Sequence, residues 1–547
     1  MNPWQLEIDK NTATILRALK RCFAIAWVVA MLSRLVRRDG STVCIVLLMA
    51  SICGAAVAQE RPEPLWPTTG WQYSTPEEQG MDSGVLARLV DYGMTLSFDS
   101  LLIARHGKIV LDAYYAPYGP DTLHVINSST KAVTSTLTAL AIKDGLLDSA
   151  DHRMTDLFAD RSIANLDDRK KAVTLQHLLD MTSGIDWKEP LNGRPESMID
   201  MERSPDWIKF ILDRPMAATP GDTFNYDSGN PHVLSAVITK LTGMSASDYA
   251  KVKLFGPLGI STWNWRRDPQ GISTGGYGLA LQPRDMAKIG YLYLHHGEWE
   301  GKPLVPRDWV ERAGHATVNM NLPGEPELRY SNLFWALPKK HVYMGVGYHC
   351  QLIMVFSELD IVAVTTARDF CPFSRLADFI SGAVKSETAL PPDPARANLL
   401  ANAISNSSTE RPTTVGATPE IASAISGKTY HFRGNALAVK SLSLTFADQQ
   451  GHYDLELYAR DPTQPPTRLS GPIGLDGLYR KSEPAPSGLA AMKGNWSNGS
   501  TFVIERLLIG AGEEAQEWTL SFDGDSVHLR GKSRDGRTVA IDGEIAG

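Results

Sequence analysis

Hydrophobic positions change their period several times along this chain. Ser100-Leu101-Leu102-Ile103-Ala104 and Lys108-Ile109-Val110-Leu111-Asp112 are short apolar runs on either side of Arg105-His106-Gly107, the pattern of a β-hairpin. Helical spacing then takes over. Val133, Leu137, Leu140, Ala141 and Leu146 form one buried stripe over 132–147, and helical patterns continue through 286–292. A second hairpin is predicted from 351–356 and 361–365 around a turn at 357–360. Strands early, helices in the middle and strands late predict an α+β domain over 74–386. Its antiparallel sheet is assembled from both ends of the region, with a helical subdomain inserted between them.

The pattern changes again after residue 386. Pro391-Pro392-Asp393-Pro394, Ser405-Asn406-Ser407-Ser408-Thr409 and Pro412-Thr413-Thr414 give 387–422 the composition of a linker, with room for one helix over 396–404. Period-two alternation then recurs at 442–446, 453–458, 502–505, 518–522, 527–529 and 539–541. Gly, Asp and Asn separate these runs, so 423–547 reads as a separate all-β domain, a small barrel or sandwich. It offers no catalytic grouping. A substrate-binding, oligomerisation or purely packing role fits it equally.

Composition narrows the class. The chain has 547 residues, 43% of them hydrophobic and 21% charged, as in a multi-domain globular protein. Its formal charge is −7, and the segment ahead of residue 59 is basic, so the remainder is more acidic still. With no basic stripe carrying interleaved aromatics, nucleic acid is not an expected partner. Arg34, Arg37 and Arg38, the apolar run 43–57 and Ala56-Val57-Ala58 form a signal-peptide pattern, with cleavage expected near Ala58 and the product periplasmic or secreted. Left uncleaved, the same run is the one route to membrane association. Met31 is an alternative start, and Pro62 to Pro67 reads as part of a tether over 59–73. Of five cysteines only Cys350 and Cys371 lie beyond the signal, either paired or as two buried thiols. The thirteen histidines are scattered, and no Cys/His cluster has metal-ligand spacing, so no metal or other cofactor is expected.

The candidate chemistry begins at Ser128-Ser129-Thr130-Lys131, at the start of the predicted helix. Residues three apart share a helix face, which brings the Lys131 amine to the Ser128 oxygen. A serine hydroxyl becomes a useful nucleophile when a neighbouring base takes its proton. A lysine serves as that base when desolvation or nearby positive charge favours its neutral form. Alone, Ser-x-x-Lys is a weak signal, and a solvated helix start explains it as well. Three later blocks change that. They are 174–184, read as a short helix closed by Gly184 with His177 as a packing residue; Pro220-Gly221-Asp222-Thr223-Phe224-Asn225-Tyr226-Asp227-Ser228; and Gly345-Val346-Gly347-Tyr348-His349-Cys350-Gln351. The loop 186–205 has no motif, and its Trp187 either anchors the loop or stacks on substrate.

Together these blocks resemble the serine β-lactamase-related superfamily over residues 70–385. The similarity is to the class C-like branch with its penicillin-binding-protein-like esterases and 6-aminohexanoate-oligomer hydrolases. The resemblance implies a β-lactamase/transpeptidase-like sheet flanked by helices and an all-helical subdomain, with the site between them. It implies Ser128 as acylated nucleophile, Lys131 as its proton acceptor and Tyr226 as second acid/base. The Ser128 backbone N–H and one near Cys350-Gln351 would form the oxyanion hole, with Ser228 and His349 beside the substrate. Two departures stand out. No Lys-Thr-Gly triad precedes Gly347, and Cys350 and Ser228 stand where glycine and asparagine are common. The expected activity is therefore hydrolysis of a small or short oligomeric amide or ester. The alternatives are a class C-like β-lactamase or D-Ala peptidase, and a non-catalytic cell-envelope protein that keeps the fold.

Overall fold

The computed structural model describes residues 64–545, apart from segments 192–194, 323–324, 448–449, 460–464, 484–488, 514 and 533–536. The signal-peptide pattern and the Met31 start fall outside the described residues. Among the described residues, no helix is long and apolar enough to cross a membrane.

A nine-stranded sheet is the frame of the first domain. Its strands are β1 (Gln72–Tyr73), β2 (Phe98–Arg105), β3 (Lys108–Tyr114), β4 (Val318–Asn319), β5 (Arg329–Ser331), β6 (Phe334–Leu337), β7 (Val342–Gly347), β8 (Gln351–Phe356) and β9 (Ile361–Ala367), in the spatial order β1-β3-β2-β9-β8-β7-β6-β5-β4. Early and late hairpins meet where β9 pairs antiparallel with β2, the assembly from both ends that the hydrophobic pattern predicts. β2, β8 and β9 are buried along their whole length because helices cover both faces. On one side lie α1 (Ser83–Thr95) and α5 (Phe373–Ala383), and on the other α4 (Pro283–Leu294). Between the two hairpins the chain is largely helical, and α2 (Thr130–Lys143) and α3 (Gly229–Thr242) pack on each other there.

α2 is the element that matters for the site. A 3-10 turn, Asn127–Ser129, precedes it, and residues 130–141 are all buried. A helix apolar on every side belongs in a core. Its polar residues are satisfied internally: Thr136 and Thr138 donate to the carbonyls four residues back, and Thr134 donates to Gly275 O at 2.7 Å. The stripe Val133, Leu137, Leu140 and Ala141 is buried as expected, whereas Leu146 lies beyond the helix and is exposed.

Three segments differ from their sequence reading. Residues 64–73 pack rather than tether: Trp66 contacts Tyr291, His295 and Trp299, Trp71 Nε1 donates to Arg284 O, and β1 pairs parallel with β3. The helix expected over 396–404 within 387–422 runs over fifteen residues, α6 (Pro394–Ser408), is capped by Asp393, and is buried through Leu400, Ala403 and Ser407 in packing that includes α1 rather than lying in a free linker. Its small polar residues gave it linker composition, but its apolar positions face the core. The 174–184 helix is Leu175–Leu179 and ends at Asp180, so Gly184 does not close it; His177 lies in a capping box with Thr174, a structural role.

Beyond α6 the chain forms an all-β domain with its own core, including Leu442, Tyr453, Leu455, Phe502, Trp518 and Leu520. Its strands follow one another antiparallel and pair the first, Thr429–Phe432, with the last, Thr538–Ile545; Thr467–Gly474 meets Leu489–Trp496 to close the barrel. The strands at 467–474 and 489–496 carry no clear alternation in the sequence, since glycine, proline and basic residues interrupt them, and the alternating strand at 429–432 is only four residues long.

Candidate active site

Ser128 sits half-buried in the 3-10 turn, one residue before the fully buried Ser129 and three before Lys131. Lys131 is 1% exposed, and its amine has three oxygen neighbours: Ser128 Oγ at 3.0 Å, Ser228 Oγ at 3.0 Å and Gly276 O at 2.9 Å. The Tyr226 ring lies below it, with the amine 4.6 Å from the ring centroid. Ser128, Lys131, Tyr226 and Ser228 are thus brought into one place by the start of α2 and the turn before α3. The Gly276 carbonyl reaches this place because Gly275 has no side chain; a Cβ there would lie 1.9 Å from Pro231 O.

The turn between β7 and β8 lies against Ser128. Asn127 Nδ2 donates to Tyr348 O at 3.1 Å, and Ser129 Oγ donates to Gln351 O at 2.6 Å, so the residues on both sides of Ser128 hold it. The side chains of the other candidates in this turn have partners of their own. Gln351 is fully buried and spends its amide on His349 O and Ala367 O. His349 donates from Nδ1 to Gly512 O at 2.9 Å, a carbonyl of the barrel. Cys350 is joined to Cys371 in a disulfide, with Cα atoms 5.6 Å apart. His349 and Cys350 both adopt positive φ, 57° and 62°, which explains why glycine is the usual residue at the second position.

Two groups without a sequence signal complete the site. Glu189, in the loop that carries no motif, accepts from Ser228 Oγ at 2.7 Å, Ser228 N at 2.8 Å and Trp187 Nε1 at 2.6 Å. Trp187 is 4% exposed and anchors this loop. Asp227 is fully buried behind Tyr226. Its Oδ1 accepts from Gly229 N and Asn230 N at the start of α3, while Oδ2 has no partner. Burial, then the Glu189 charge, pushes its carboxyl up to about 8, so it carries a proton at neutral pH. In front of these groups opens a cleft of about 730 Å³, lined by Trp187, Glu189, Leu191, Phe224 and Tyr226 among others. Among the described residues, no group of three or more His, Cys, Asp or Glu is placed to hold a metal ion.

The arrangement is that of a serine hydroxyl beside a buried amine, next to Tyr226, which lines a partly apolar cleft. Comparison with known proteins leads to the same place. The chain is 24% identical over 324 residues to the 6-aminohexanoate-dimer hydrolase of Paenarthrobacter ureafaciens, covering 53% of this chain and 79% of that protein. Among solved structures it is similar to the octameric penicillin-binding protein homologue from Pyrococcus abyssi, with a TM-score of 0.45, 18% identity and coverage of 84% and 99%. It is also similar to a D-stereospecific amidohydrolase from Streptomyces sp., with a TM-score of 0.43, 17% identity and coverage of 55% and 98%. The Beta-lactamase family model matches residues 86–379, more than half of the sequence, and the chain therefore belongs to that family of serine hydrolases.

Proposed function

We propose that this protein is an exported hydrolase that cleaves a linear amide or an ester through an acyl-enzyme on Ser128. The observation that carries the reading is the 3.0 Å contact between the Ser128 hydroxyl and the buried Lys131 amine. In the first step the Ser128 O–H bond breaks, its proton passes to Lys131 Nζ, and Oγ bonds to the substrate carbonyl carbon. Tyr226 delivers a proton to the departing amine or alcohol as the C–N or C–O bond breaks. Water then bonds to the acyl carbon as the Ser128 Oγ–carbon bond breaks, its proton passes through the same pair back to Ser128 Oγ, and the acid is released.

Linear amides and esters are favoured over β-lactams because no Lys-Thr-Gly triad precedes the β7–β8 turn. The hydrolase of 6-aminohexanoate dimer among its relatives supports the same choice. Export is supported by the N-terminal pattern and by the Cys350–Cys371 disulfide, which suits an oxidising compartment. The test is purified Ser128→Ala protein. It should lose labelling by a fluorophosphonate probe and all turnover of p-nitrophenyl esters and aminohexanoate oligomers. Retained turnover removes the reading, and nitrocefin turned over faster than every ester and amide reverses the substrate order.

A further inference from the structure

Each contact of the Lys131 amine has a direction, and one of those directions is set from outside the cluster. The Gly276 carbonyl can only accept, so one N–H of Lys131 is committed to it at 2.9 Å. Ser228 Oγ is a hydroxyl and is able to donate or accept. Its hydrogen points to Glu189 Oε1 at 2.7 Å, which leaves Oγ as an acceptor for a second N–H of Lys131 at 3.0 Å. A neutral amine has two N–H bonds and one lone pair. With both N–H bonds assigned, the lone pair faces the third neighbour, Ser128 Oγ, at 3.0 Å. That is the orientation in which lysine removes the serine proton.

Resting on the serine-hydrolase reading above, we propose that Glu189 is a positioning residue. Through the Ser228 hydroxyl it fixes the direction of hydrogen bonding around Lys131 and so keeps the lysine lone pair on the nucleophile. Glu189 reaches neither the nucleophile nor the amine in this network, and acts on both through one oxygen. Its own place is fixed on the other side, where Oε2 accepts from Ser228 N and Trp187 Nε1. Those two N–H donors hold the carboxylate with Oε1 turned to Ser228.

The contrast with glutamine follows from the donor inventory. In Glu189→Gln the carbonyl oxygen stays where Ser228 N and Trp187 Nε1 need an acceptor, because turning the amide would set its NH₂ against both donors. The NH₂ then faces Ser228 Oγ and donates to it. The Ser228 hydrogen must turn away, and its remaining nearby acceptor is the Lys131 lone pair. The lysine is then occupied as an acceptor and no longer available to Ser128.

The experiment measures the acylation rate of Ser128 by fluorophosphonate labelling and by the burst of p-nitrophenol release. It uses the wild-type chain, Glu189→Gln, Ser228→Ala and the double variant. Each single change should slow acylation ~10- to 100-fold, a part of the ~10²–10⁴ that a positioned base supplies. The double variant should fall within about threefold of the slower single variant, since Glu189 has nothing to act through once the Ser228 oxygen is gone. Multiplying effects, or a Glu189→Gln enzyme within about threefold of wild type, overturn the proposal. If Glu189→Gln fails to fold, Ser228→Ala alone decides, because it breaks the same link by loss of one oxygen; wild-type acylation in it sinks the idea. Labelled Ser128→Ala protein, by contrast, refutes the hydrolase reading itself and not the role of Glu189.

Discussion

Asp227 shows how closely the site couples chemistry to stability. Its folded pKa, about 8, stands far above the unfolded carboxylate value near ~3.9, and buried Asp99 is likewise pushed up to about 7 by burial. A group whose folded pKa is raised gives stability that is whole below its unfolded pKa and disappears as pH climbs through the folded value. Thermal stability should therefore decline from pH 6 to pH 9. Asp227→Asn stays neutral throughout and should flatten that decline while Asp99 keeps part of it. Parallel melting curves for the two proteins would show that Asp227 does not carry the effect. At this scale the sequence was legible where partners are local. Ser128 and Lys131 are one helical step apart, and Tyr226-x-Ser228 lies within one turn. Glu189 was not, because it meets Ser228 from 39 positions away along a loop without periodicity.

Elements were readable where an unbroken apolar run is bounded by turn residues. β8 and β9 begin at the positions expected from their runs, 351 and 361. α6 was harder. Its apolar positions are spaced by Asn and Ser, which are usual in linkers, and only packing against α1 reveals it as part of the first domain. This placement has a stability consequence. Leu400 is 6% exposed in that contact, so Leu400→Ala should destabilise the protein by ~2–5 kcal/mol. Urea unfolding followed by tryptophan fluorescence measures it, and a shift within error would mean that α6 is a passive spacer. The segment 64–73 escaped notice for a related reason: it holds isolated tryptophans rather than a periodic run, and its order comes from Tyr291, His295 and Trp299 far along the chain.

At the scale of the whole molecule, contacts among the described residues join the barrel to the first domain. Tyr118 packs with Ala491 and Leu507, Gly510 O accepts from Val125 N at 2.6 Å, and Gly512 O accepts from His349. Alternation revealed a barrel or sandwich, but nothing in it shows which loop docks where, since docking rests on backbone carbonyls that every residue has. Gly512 has φ +67° and sits so close that a Cβ would lie 2.9 Å from Gln351 Nε2 and 3.3 Å from Asn127 Nδ2. Gly512→Ala should push on Gln351 at the end of the β7–β8 turn and on Asn127 beside Ser128, and lower kcat/KM for ester hydrolysis by ~10-fold or more, since small misplacements at a reacting centre are costly. Unchanged kinetics would make the barrel a bystander. The barrel is sealed when Thr538–Ile545 joins Thr429–Phe432, and the loop beside residue 127 belongs to that sealed ring. This closing strand lies far downstream of Ser128 in the chain, so a chain cut before residue 538 would carry that serine without the neighbourhood that steadies it.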